Sequence, residues 1–140
     1  MRGQVFRCLF SLFFLTGLSS GAHAQTVLYC KSELATGFMT ENGSWREGSF
    51  VLERFTIKFN RNFTTMHGLD KEGRPPYSCS WAFREEKWGT LLCLSYYENG
   101  ESFIYNTEQK RFIFASAGIG GYTMNGTDTD VFYAGTCAEF

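Results

Sequence analysis

No stretch of twelve residues in this chain carries the i, i+3, i+4, i+7 apolar stripe of an amphipathic helix. Apolar side chains alternate with polar ones instead, in short runs separated by turn dipeptides. Arg54 to Asn60 is the clearest case: Phe55, Ile57 and Phe59 fall on one side, Thr56 and Lys58 on the other. A period of two puts successive side chains on opposite faces of a strand, so such a chain folds as sheet. The first strand is read over Thr26–Ser32 and the last over Val131–Cys137. Asn42-Gly43, flanked by Phe38 and Trp45, and Asn99-Gly100 are tight-turn dipeptides, because both central residues of a type I′ turn need positive φ.

Turn positions then set registers. Asn60-Arg61-Asn62 sends Phe63 to His67 back along the preceding strand, and 70–76 is a polar, proline-ended loop. A two-residue loop at Asn99-Gly100 places Tyr96 opposite Phe103 and Leu94 opposite Tyr105. The turn Thr107 to Lys110 places Tyr105 opposite Phe112 and Phe103 opposite Phe114. On this reading Leu92, Leu94, Tyr96, Phe103, Tyr105, Phe112 and Phe114 share one face. Gly118 to Asp130 is the longest loop, with Tyr122 to Met124 pairing briefly inside it.

The first 24 residues read as a cleaved export signal. Arg2 and Arg7 precede an apolar run, Cys8 to Leu18, and Ala22-His23-Ala24 has the small-x-small form of a cleavage site. Eleven helical residues span roughly 16 Å, about half a bilayer core, so the run is too short for a membrane span. Residues 25–140 then form a single domain. The whole chain has net charge −1; without the two signal arginines it is −3, which disfavours nucleic acid and anionic membrane as partners.

Four cysteines remain after the signal: Cys30, Cys79, Cys93 and Cys137. An even number in a short exported chain implies two disulfides. A hairpin centred on the polar turn near Glu86 brings Cys79 opposite Cys93 and Trp81 opposite Leu91, which leaves Cys30 to join Cys137 across the first and last strands. Zinc requires two cysteines a few residues apart, and none are so spaced. About eight antiparallel strands with their outer members tied imply an all-β fold, a single small barrel with two disulfides; a two-sheet sandwich is the runner-up.

The pattern Tyr29-Cys30, Thr36-Gly37-Phe38, Trp45, Phe55-Thr56-Ile57-Lys58, Phe103-Ile104-Tyr105-Asn106, Arg111-Phe112, Gly121-Tyr122, Gly135-Thr136-Cys137 and Phe140 resembles a group of small exported bacterial proteins of unknown function. The resemblance implies export and a β fold, and no activity.

Chemistry is sparse. His67 is the one histidine left after the signal, with no sequence hint of an orienting partner, so a nucleophile–base pair is not expected. Glu85-Glu86, Glu98 with Glu101, and Asp128 with Asp130 fall in turns or loops rather than across a cleft. Gly118-Ile119-Gly120-Gly121 follows a strand without opening a helix, unlike a phosphate loop. Residues 125–130 offer oxygens for calcium but lack an EF-hand's spacing and terminal glutamate. No cofactor or metal is expected.

Aromatics are abundant: 11 Phe, 7 Tyr and 3 Trp among the 116 residues after the signal. Most must be core, yet Trp81, Trp88 and Tyr97 are candidates for an exposed binding patch, and Arg84 and Lys87 for a charged inhibitory tip. The expected function is a non-catalytic binding or inhibitor-like module of the periplasm or the exterior. Its partner would be an envelope or extracellular protein or glycan. A carrier of an apolar ligand inside the barrel is the alternative, and an envelope hydrolase comes third.

Overall fold

The computed structural model of the protein describes residues 25–69, 75–84, 88–96, 100–118, 120–124 and 126–140. Residues 1–24, expected to be an export signal, lie outside this set, as do Glu85, Glu86, Lys87, Tyr97 and Glu98. Nine strands follow one another: β1 Thr26–Glu41, β2 Ser44–Ser49, β3 Arg54–Phe59, β4 Thr65–His67, β5 Tyr77–Trp81, β6 Thr90–Leu94, β7 Glu101–Asn106, β8 Arg111–Ser116 and β9 Asp130–Glu139. Their order in the sheet is β2-β1-β3-β4-β5-β6-β7-β8-β9, and β9 also pairs with β1. The sheet therefore closes into an eight-stranded antiparallel barrel with β2 as an extra strand. Closure removes the free edges of the barrel strands on which strands of different molecules would pair, and leaves one on β2.

Strand β1 is more than twice as long as the expected Thr26–Ser32 because it has two partners on the same side. Its first half pairs with β3 (Thr26↔Phe59 to Lys31↔Arg54) and its second half with β2 (Thr36↔Ser49 to Glu41↔Ser44). One register serves both, so β2 and β3 are the two ends of one interrupted strand. At the interruption Ser32 stands in for the ladder. Its N–H donates to Glu53 O (2.9 Å), and the Glu53 N–H donates to Ser32 Oγ (2.6 Å). The hairpin turns at Asn42 (φ 52°) and Gly43 (φ 75°), as the dipeptide predicts. Since β9 accompanies β1 only as far as Phe38↔Asp130, the tip of the hairpin extends past the end of β9 as an arm.

Both disulfides are those the spacing predicts. Cys30 bonds Cys137 and Cys79 bonds Cys93, each across directly opposed residues with Cα atoms 4.0 Å apart. Such bonds place the folded chain in an oxidising environment. Among the described residues no helix is long and apolar enough to cross a membrane.

Turns at 107–110 give the expected pairs Tyr105↔Phe112 and Phe103↔Phe114. The β6–β7 register differs from the expectation. Cys93, not Tyr96, lies opposite Phe103, and Leu91, not Leu94, lies opposite Tyr105. The connection is longer than two residues, with the Ser95 N–H donating to Glu101 O. A slip of three is odd and so reverses the faces. Cys93 must point inward to reach Cys79, so Leu91 is buried with it, while Leu94 and Tyr96 turn out to solvent. Tyr122 to Met124 forms a 3-10 turn rather than a strand pair.

The barrel interior is filled with rings. Phe103 stacks on Phe112 at 5.4 Å between centroids, Phe55 meets Phe112 edge-on at 5.2 Å, and Tyr105 lies 6.1 Å from Phe59. Leu28, Ile57, Met66, Tyr77 and Leu91 complete this core.

Candidate functional site

Of the residues singled out from sequence, Trp81, Arg84 and Trp88 lie among the described residues. Trp81 alternates with the buried Tyr77 and Cys79, so its ring is half-buried and lies 5.8 Å from Phe63 against the core. Trp88 is 56% exposed. Its carbonyl accepts hydrogen bonds from Thr90 Oγ1 (3.2 Å) and Asn106 Nδ2 (3.3 Å), which fasten that end of the β6–β7 hairpin. Arg84 is exposed in a short 3-10 turn at φ 58°. Tyr97 and Lys87 lie outside the described residues. His67 ends β4 at an exposed position opposite Lys58.

A different cluster of aromatics lies outside the barrel, where the β1–β2 arm meets the loop between β8 and β9. Phe38, Trp45, Ala117, Tyr122, Asp130 and Phe132 line a groove of about 550 Å³. Strand alternation builds two of its walls. Phe38 and Trp45 sit on the outer face of the arm, in the register Phe38↔Glu47 and Thr40↔Trp45, while Asp130 and Phe132 share the outer face of β9. The loop supplies the third wall, where Tyr122 meets Trp45 edge-on at 5.5 Å.

Glycine lets that loop lie so close. A Cβ on Gly121 would stand 2.5 Å from Asp130 Oδ1, and one on Gly120 2.3 Å from Asp128 Oδ2, nearer than atoms can approach. Folded over in this way, the loop leaves Asp130 only 8% exposed. The Tyr122 N–H donates to its Oδ2 at 3.3 Å, and Oδ1 has no hydrogen-bond partner. Buried carboxylate oxygens are ordinarily paired, and here one backbone N–H serves the whole carboxyl group of the wall. Arg46 and Glu47 stand at the rim; Arg46 is paired with Glu41, and Thr36 Oγ1 donates to Glu47 at 3.4 Å.

Alternation also explains the neighbouring surface. Leu92↔Ile104, Ile104↔Ile113, Ile113↔Ala134 and Leu34↔Ala134 form one transverse outward row across five strands. Leu34 is 69% and Ile113 48% exposed, and with Ile104 and Ala134 they border a second depression of about 410 Å³. Ala134 follows Phe132 by two residues on β9, so the two depressions are adjacent rows of one face.

Sequence reasoning missed this site because it treats Phe38 and Trp45 as turn flanks and Asp130 as a loop acid. The signal was available in the alternation of Leu34, Thr36 and Phe38, which carries β1 beyond Ser32. Among the described residues, no three His, Cys, Asp or Glu side chains are grouped to hold a metal ion. No family model, no curated protein and no solved structure matches this chain.

Proposed function

We propose that the protein is an exported, non-catalytic binding module of the periplasm or cell exterior, and that it meets its partner at the groove of Phe38, Trp45, Tyr122 and Phe132. One contrast carries the reading: rings occupy the barrel interior, while an aromatic-walled groove opens on the outside. The volume of that groove is within the range of ordinary ligand sites. Tryptophan and tyrosine, large and with few rotatable bonds, are the side chains that most often dominate binding energy. An apolar ligand carried inside would have to displace the Phe55, Phe103 and Phe112 cluster. Oxidation of both cysteine pairs removes the thiolate nucleophiles a cysteine hydrolase would use.

The test is capture from envelope extract on immobilised mature protein, repeated with Trp45→Ala and with Trp88→Ala. The expected outcome is loss of the retained partner with Trp45→Ala and retention with Trp88→Ala. Equal yields from all three proteins overturn the groove as the site.

A further inference from the structure

Two acidic side chains, Asp130 and Glu47, line the groove. Asp130 is more than nine-tenths buried in its wall, with a single 3.3 Å backbone hydrogen bond for two carboxylate oxygens. Glu47 adds a second carboxylate at the rim, and the one cation there, Arg46, is spoken for by Glu41. The remaining walls are aromatic, and a ring face is the negative pole of its quadrupole, which attracts a cation placed over it. Both features suit the same group, a positively charged head on an apolar stem.

The surroundings indicate what carries that head. Side chains two apart on a strand lie on one face at a spacing of about 7 Å. Phe132 borders the aromatic groove and Ala134, two residues further along the same face of β9, borders the apolar depression beside it, so the two depressions adjoin along that strand. An extended peptide presents its alternate side chains at the same interval. Resting on the proposed function, we infer that the partner is a polypeptide whose extended segment places an arginine or lysine side chain in the aromatic groove. It places an apolar side chain, two residues away, between Leu34, Ile104 and Ile113. The guanidinium stacks on Trp45 or Tyr122 within the field of Asp130 and Glu47. The net charge of −3 on the chain without its signal favours the approach of such a segment.

Blocked peptides decide the matter: acetyl-Arg-Gly-Leu-amide, the same peptide with citrulline for arginine, and acetyl-Arg-Gly-Gly-amide. Citrulline keeps the shape of arginine and removes its charge. Titrated into the 15N-labelled mature protein, the arginine–leucine peptide should shift the Trp45 indole and the Tyr122 and Ile113 amides. The citrulline peptide should bind at least about tenfold more weakly, a difference of 1.4 kcal/mol, and the Arg-Gly-Gly peptide should leave Ile113 unmoved. Asp130→Asn should shrink the preference for arginine over citrulline. Glu47→Gln, at an exposed position on β2, should do the same and keeps the test decisive should Asp130→Asn fail to fold.

Equal affinity for arginine and citrulline overturns the inference but leaves the groove a binding site. Absence of any shift, with capture still lost in Trp45→Ala, overturns the inference alone. Absence of any shift with capture unchanged in Trp45→Ala overturns both readings.

Discussion

Tyr105 shows what a single atom contributes inside this barrel. Its ring packs between Phe59 and Phe103, yet its hydroxyl is buried with no hydrogen-bond partner. Leaving a buried polar group unsatisfied costs about 1–3 kcal/mol, so Tyr105→Phe should raise stability by about 1 kcal/mol in urea denaturation. An unchanged or lower midpoint would mean that the hydroxyl has found a partner. Burial also raises the Tyr105 phenol above its usual 10.0, with Lys110 opposing, and raises Tyr133, helped by the nearby Glu53 carboxylate. The sign follows from which state loses its proton first. Below about pH 10 both states keep the phenol protonated and nothing changes; above it the unfolded chain ionises while the folded one resists, so stability falls. Lys110, raised chiefly by its hydrogen bond to Glu139, acts in the same direction, its contribution present at neutral pH and lost in alkali. Midpoints should therefore decline from about pH 10 upward, less steeply in Tyr105→Phe and Tyr133→Phe.

Elements made of alternating residues were legible wherever one face was plainly apolar. The run read over Arg54 to Asn60 is the strand Arg54–Phe59, and the turn at 107–110 set the β7–β8 register correctly. Legibility failed where turn chemistry and packing disagreed. Asn99-Gly100 has the form of a two-residue loop, but the inward demand of Cys93 overrode it and reversed the faces of β6. It failed again in the second half of β1, where the large side chains Leu34 and Phe38 face outward and the inward residues are Ala35 and the buried Gly37, an inverted pattern. Small inward residues have a physical reason at this seam. A Cβ on Gly135 would meet Lys31 O at 2.0 Å and Ser32 Cα at 2.7 Å, backbone that cannot turn aside. Gly135→Ala should thus cost about 1–3 kcal/mol by overpacking. Gly43→Ala, strained at φ 75° but meeting no atom within 4 Å at the arm's tip, should cost less. Paired denaturation curves check the order; the reverse order would show that the seam can relax around a methyl group.

At the scale of the whole molecule, the barrel could be inferred from sequence because four cysteines, spaced as they are, admit few arrangements of about eight antiparallel strands. The groove could not, because it exists only where the β1–β2 arm meets a segment far from it in sequence, the β8–β9 loop together with the start of β9. No local pattern in either segment records the other. That origin ties the site to the closure of the barrel. The Cys30–Cys137 bond joins β1 to β9, the strands that carry Phe38 and Phe132, whereas Cys79–Cys93 joins β5 to β6 away from the groove. In the chain-entropy account a bridge stabilises more when the loop it closes is longer. The separations here are 107 and 14 residues, which corresponds to about 4.7 and about 3 kcal/mol. Replacing Cys30 and Cys137 together by alanine should therefore lower stability more than replacing Cys79 and Cys93. Under conditions where both variants remain folded, the first should also weaken Trp45-dependent capture and the second should leave it intact. Loss of capture in both variants alike would separate the groove from the seam. It would mean that the arm and loop depend on the packing of the whole barrel and not on the strands that close it.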